Sequence, residues 1–133
     1  MALPLSANVG RVVCVPVIHP VQVTADVAET VHKVYPGIKG RVIKVVGIPG
    51  IHGGGTPMTD LDLIPYVSTT ALSAAIAAVN SSTAASTDAV LSPTITGTAT
   101  ITEDDYISVD YDVTGGSTPT ADGCGVLFYI ARE

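Results

Sequence analysis

The sequence has no tryptophan and a single phenylalanine, Phe128, and only 14% of its 133 residues are charged. Few aromatics leave little with which to build a stacking platform for a sugar ring. So low a charge content, against roughly 25% in ordinary soluble domains, leaves a single subunit poorly covered. Lys and Arg number six and are scattered, so the clustered basic face that phosphate recognition needs is missing and nucleic acid is not an expected partner. No apolar run approaches the roughly 18 to 20 residues of a membrane-spanning helix, and no membrane partner is expected. The opening "MALPLSANVG" lacks both a basic stretch and a sustained apolar core, so it does not read as a secretion signal, and synthesis in a cytoplasm is expected. Cysteine is scarce too: Cys14 and Cys124 stand near opposite ends of the chain and are expected to be buried free thiols rather than a disulfide framework.

What is present is branched aliphatic: 47% of residues are hydrophobic, drawn mainly from Val, Ile, Leu and Ala. "ISVDYDVT" (107–114) alternates Ile107, Val109, Tyr111 and Val113 with Ser108, Asp110 and Asp112, the period of a half-exposed strand. "GVLFYIARE" at the end is apolar in both registers, so both its faces are expected to be covered, one in the core and one by another subunit. "RVVCVPVI" (11–18), "AETVHKVY" (28–35), "RVIKVVGI" (41–48), "TDLDLIPYV" (59–67) and "PTITGTATI" (93–101) also read as strands. Pro16 and Pro20 confine the first to an edge or an extended arm. "ALSAAIAAV" is given to a strand rather than a short helix because of its Thr-rich neighbours. Gly115-Gly116-Ser117-Thr118-Pro119 reads as a loop. The expected fold is all-β: an antiparallel two-sheet sandwich, jelly-roll-like, over residues 21–133, preceded by an N-terminal arm or edge strand at 1–20 that docks on a neighbour.

The chain changes sign along its length. Residues 1–58 carry five Lys and Arg against two acids, whereas residues 59–133 carry one against ten. Between these halves lies "GIPGIHGGGTPMTD" (47–60), in which His52-Gly53-Gly54-Gly55 matches the string that many lipases use to hold an oxyanion. The nucleophile elbow G-x-S-x-G that should accompany it is absent, as is the Gly-Lys-Ser/Thr ending of a phosphate loop. The glycines are therefore expected to form a mobile inter-strand loop, with His52 at a contact to a neighbour. His19, His32 and His52 have no spacing that sets two imidazoles on one face, and no metal or other cofactor is expected from them. Asp110 and Asp112 point the same way on one strand and are weak calcium candidates; a solvated strand face is the plainer reading. No catalytic set emerges, and the chain is not expected to be an enzyme.

"TITGTATITEDDYISVDYDVTGGSTPTADGCGVLFYI", with the preceding "PGIKGRVIKVVGIPGI" and "TDLDLIPYVSTTALS", resembles the small β-sandwich virion proteins of tailed bacteriophages, of the capsid decoration or cement type. The likeness spans roughly residues 36–131 and rests on strand and turn patterns rather than fixed functional residues. It implies a jelly-roll-like homotrimer on the capsid surface of a virion, partnered by the major capsid protein and clamping neighbouring capsomers. It brings no catalytic residues. Lys33, Lys39, Arg41 and Lys44 are the expected basic patch towards the shell, and Val126, Phe128 and Ile130 are expected at a subunit interface with His52. A module that reads a host-surface glycan is the alternative, and an esterase using the glycine string a remote one.

Overall fold

A computed structural model of the chain describes residues 11–28, 32–56, 58–79 and 91–133. Ten strands follow in order: β1 (Val12–Ile18), β2 (Gly40–Ile48), β3 (Ile51–Thr56), β4 (Asp60–Val67), β5 (Thr70–Ala71), β6 (Ile76–Val79), β7 (Thr100–Ile101), β8 (Ile107–Thr114), β9 (Ser117–Asp122) and β10 (Gly125–Arg132). No helix occurs among the described residues, and every strand pairing is antiparallel. One sheet has the order β1-β10-β2-β7. In the other, β4 is flanked by β8 on one edge and by β5 and β6 on the opposite edge.

The third pairing, β3 with β9, explains how the sheets are joined. Register is carried almost unbroken from Ile48↔Gly125 through Ile51↔Asp122 and Thr56↔Ser117 to Asp60↔Thr114. Among the described residues, 40–56 and 60–67 therefore run against 107–132 as one two-stranded ribbon that changes sheet twice along its length. Its ends lie in different sheets, and its middle is β3–β9. The first bend falls at Gly50 and Gly123, whose φ angles of 73° and 71° suit residues without a Cβ. The glycine string expected to be a mobile loop is instead a paired strand within this ribbon. The expected 115–119 loop is likewise shorter, because Ser117-Thr118-Pro119 already belongs to β9. Backbone pairing over a long sequence separation, not side-chain propensity, sets both strands.

The two sheets close over a single core containing Val17, Val42, Val45, Leu61, Leu63, Ile107 and Phe128. β4 shows the cleanest alternation: Leu61, Leu63, Pro65 and Val67 are buried, while Asp60, Asp62, Ile64 and Tyr66 are half-buried on the outer face. Pro65 is tolerated because its carbonyl accepts from Leu72 N–H; its ring nitrogen faces the same edge, in the gap between β5 and β6, where no donor is required. In β2 a bulge leaves Ile43 unpaired, since Tyr129 pairs Lys44 while Ile130 pairs Val42. The extra residue shifts the phase, so that Val42 and Val45 both point inward and Lys44 stays outside.

β1 is an edge strand of this same sheet, with Pro16 opposite Leu127 and Val17 fully buried. Of the two expectations for the first segment, arm or edge strand, residues 12–18 take the edge-strand place in their own sandwich; residues 1–10 lie outside the described part. The expected strand at 28–35 is an edge segment where it is described: Val27 bridges Tyr111 and Val34 bridges Ile107 along β8, after Val23 has bridged Ala121 of β9. These bridges run along the edge of β8 away from β4, and Ser108 is fully buried and Asp110 half-buried, so β8 is less exposed than its alternation suggests. "PTITGTATI" contributes only Thr100–Ile101 as strand, and "ALSAAIAAV" supplies the second residue of β5 and the whole of β6 without a helix. Residues 80–90 lie outside the described part.

Candidate functional site

Two outer faces of the sandwich differ sharply in chemistry. On the β1-β10-β2 sheet, Val13, Val15 and Val17 turn inward, so Val12, Cys14, Pro16 and Ile18 turn out. Beside them run Leu127, Tyr129 and Ala131 of β10, half-buried, then Val46 and Ile48 of β2. Val12 is 41% exposed and Ile43, on the bulge, 52%. The aliphatic surface is thus bordered by charge: Lys44 lies opposite Tyr129 in register with its ammonium 5.7 Å from the ring centre, a cation–π contact. Arg41 and Lys44, both exposed, also line a groove of about 490 Å³ with Ser92, Thr94 and Ile95.

The cations expected to form one patch are thereby divided. Arg41 and Lys44 share the groove, Lys39 pairs with Glu133 at 3.5 Å, and Lys33 sits 4.4 Å above the Tyr106 ring. Val126, Phe128 and Ile130 are fully buried between the sheets of a single chain, so they are core and not a surface for a partner. The alternate residues Leu127, Tyr129 and Ala131 hold the outward place. Cys14 is exposed rather than buried, because the inward register is taken by its valine neighbours, and no disulfide joins it to Cys124. Burial pushes the Cys124 thiol up to about 11, so it stays protonated at neutral pH and is not a nucleophile.

The opposite face, on β4 and β8, is acidic. Asp62 lies directly across from Asp112, with Asp60 and Asp110 on the same side. Asp26 joins them from the segment that bridges β8 and accepts the Val113 N–H at 2.7 Å. Asp26, Asp110 and Asp112 border a shallow cleft of about 300 Å³. For the calcium expectation the geometry is unfavourable: among the described residues no three His, Cys, Asp or Glu side chains come close enough to hold a metal ion. The like charges instead act on one another. Burial, then Asp112, then Asp60 hold the Asp62 carboxyl above its ordinary range.

Ionised Asp62 therefore weakens the fold, and Asp62→Asn is expected to stabilise the protein at neutral pH by a few tenths to about 1 kcal/mol. The advantage should shrink as pH falls through the raised Asp62 value, because protonation of the wild-type carboxyl removes the same charge. Urea unfolding at pH 7 and near pH 4 checks both parts; a variant less stable than wild type at pH 7 would refute the repulsion.

The glycine string is already engaged. His52 lies in β3 opposite Ala121, Gly53 is opposite Thr120, and Gly55 N–H donates to Thr118 Oγ1 at 3.2 Å. A polar contact that the sequence does not advertise lies near the first bend: buried His19 meets Tyr111 edge-on at 5.0 Å and holds the Val21 carbonyl through Nδ1 at 2.7 Å. Tyr111 in turn donates to the Cys124 carbonyl at 3.5 Å, and burial raises its phenol pKa. Tyr35, 60% exposed, lies with its ring centre 5.7 Å from that of Tyr106 and the planes tilted by 59°, a small aromatic pair that local sequence spacing does not reveal.

Compared with protein-family models, with curated proteins and with solved structures, the chain matches none.

Proposed function

We propose that this chain is a structural subunit of a tailed-phage virion, which binds the outside of the capsid as a homo-oligomer, in the simplest case a trimer, and stabilises the shell by clamping neighbouring capsomers. The observation that carries this reading is the outer face of β1-β10-β2, an aliphatic surface that the described residues leave only partly covered, on a chain poor in charge. Such a face gains by being covered, at about 25 cal/mol per Å² of apolar area removed from water. A clamp needs nothing more than that, because symmetry repeats each modest contact around the particle.

Native mass measurement of the purified protein tests the oligomer. A stable assembly at micromolar concentration is expected, and a monomer there would sink this part of the reading. Imaging of particles assembled with and without the protein tests the site of action: added density at regular positions on the shell supports it, and its absence overturns it.

The Tyr35–Tyr106 pair, with Lys33 above it, favours a second reading as a glycan-binding module. In that case Tyr35→Ala should abolish binding of host-surface oligosaccharide while leaving the oligomer intact.

A further inference from the structure

We infer that the outer face of the β1-β10-β2 sheet is a docking surface for a second copy of this chain, whose acidic β4–β8 face meets Arg41 and Lys44. The inference rests on the oligomeric reading above and assigns its surfaces. In the middle of the docking face are Leu127 and Tyr129, half-buried within one chain. At its border, the Ile43 bulge and the two cations open onto the groove that Ser92 and Thr94 complete.

What fits there is an acidic surface with apolar spacing, and the chain itself carries one. On β4 and β8, Ile64 lies opposite Asp110 and next to the Asp62–Asp112 pair, with Asp60 further along the same face, and no cation is among the described residues that border the adjoining cleft. Within one molecule the two faces point away from each other across the core, so they cannot neutralise one another. Between molecules they can: cations from a neighbour would relieve the mutual repulsion of the carboxylates, while Ile43 and Tyr129 supply the apolar contact. Two cations are too few for a nucleic-acid backbone. Because the two surfaces are different, the contact is head-to-tail, closing into a ring if the rotation allows and otherwise extending as a stack.

The test uses the full-length chain with charges reversed. Arg41→Glu with Lys44→Glu is expected to weaken self-association about 100-fold or more at low salt, and Asp62→Lys with Asp112→Lys should do the same. The chain carrying all four changes should recover the oligomer, since it restores opposite signs on the two faces. Circular dichroism and urea unfolding establish that each variant is folded before its mass is compared. Oligomers that persist in both two-residue variants overturn the inference, as does a folded four-residue variant that stays monomeric. Loss of shell occupancy with the oligomer intact would give the groove to the capsid protein instead, and also overturns it. A ladder of masses growing with concentration would uphold the contact while removing the closed trimer, so the two claims fail separately. The Cys14 thiol, exposed on the same face, gives a second readout. It should react with a maleimide more slowly in the wild-type oligomer than in the dissociated Arg41→Glu, Lys44→Glu chain; equal rates would show that the face is not covered.

Discussion

Replacing Phe128 by alanine is expected to remove about 3–5 kcal/mol of stability, the largest effect of any single substitution proposed for this chain. Phe128 is the one phenylalanine and is fully buried. It lies on β10, the strand between β1 and β2, opposite Val15 on one side and Val45 on the other. A ring in that position touches both neighbouring strands and the facing sheet, and the surrounding valines are too short and too stiff at χ1 to fill the space it would leave. Against a total of about 5–15 kcal/mol for a typical domain, the variant would lie close to unfolding at 37 °C. Phe128→Leu, which keeps most of the volume, should cost far less, about 1–1.5 kcal/mol. Guanidinium unfolding of the three proteins checks the order. A loss below about 1.5 kcal/mol for the alanine variant would mean that the site collapses around the cavity and that β10 is not the keystone its burial implies.

Phe128 also shows where the sequence runs short. That β10 would be apolar on both faces is plain from "GVLFYIA", but whether Val126, Phe128 and Ile130 or Leu127, Tyr129 and Ala131 face the core is not, because both sets are hydrophobic. The choice is made by pairing with β1 and β2, which is long-range information. Cys14 is ambiguous for the same reason: in "VVCVPVI" either parity could face inward. β4 was legible because "DLDLIPYV" carries opposite chemistry on alternate residues, and the period alone decides its faces. The phase shift at Ile43 was hidden, since no local signal in "RVIKVV" calls for an extra residue, although keeping Lys44 out of the core requires one.

The charge reversal along the chain was legible as a count and not as a geometry. Folding turned it into two outer faces, because β2 carries Arg41 and Lys44 in one sheet while β4 and β8 carry the aspartates in the other. The pairing of Asp62 with Asp112 follows from a register between segments far apart in sequence, which alternation within either strand does not contain. Sequence order also spread Lys33, Lys39, Arg41 and Lys44 over a short span that looked like one patch. In space Lys39 is taken by Glu133 and Lys33 by Tyr106.

Within His52-Gly53-Gly54-Gly55, Gly54→Ala is expected to cost about 2–3 kcal/mol while Gly53→Ala is nearly neutral. Gly54 has a φ of 110°, which side-chain-bearing residues rarely adopt, and a Cβ there would overlap the Thr118 carbonyl oxygen. At Gly53 no such angle is required, and the nearest atom to an added Cβ is Thr120 Oγ1 at 3.3 Å, which can rotate away. The contrast separates three readings of one motif. In a mobile loop both substitutions would be tolerated. If these amides held an oxyanion, substitution would be felt in activity rather than in stability. In a bent ribbon joining two sheets, of these two positions only Gly54, with its positive φ and the β9 backbone in the way of a Cβ, is sensitive, and the damage should begin locally. Amide hydrogen exchange resolves that last point: Gly54→Ala should speed exchange first in β3 and β9, ahead of β4 and β10, because the corner can open before the sheets part. Equal losses from both variants, or uniform exchange across both sheets, would show that β3–β9 is not the separate hinge of the ribbon.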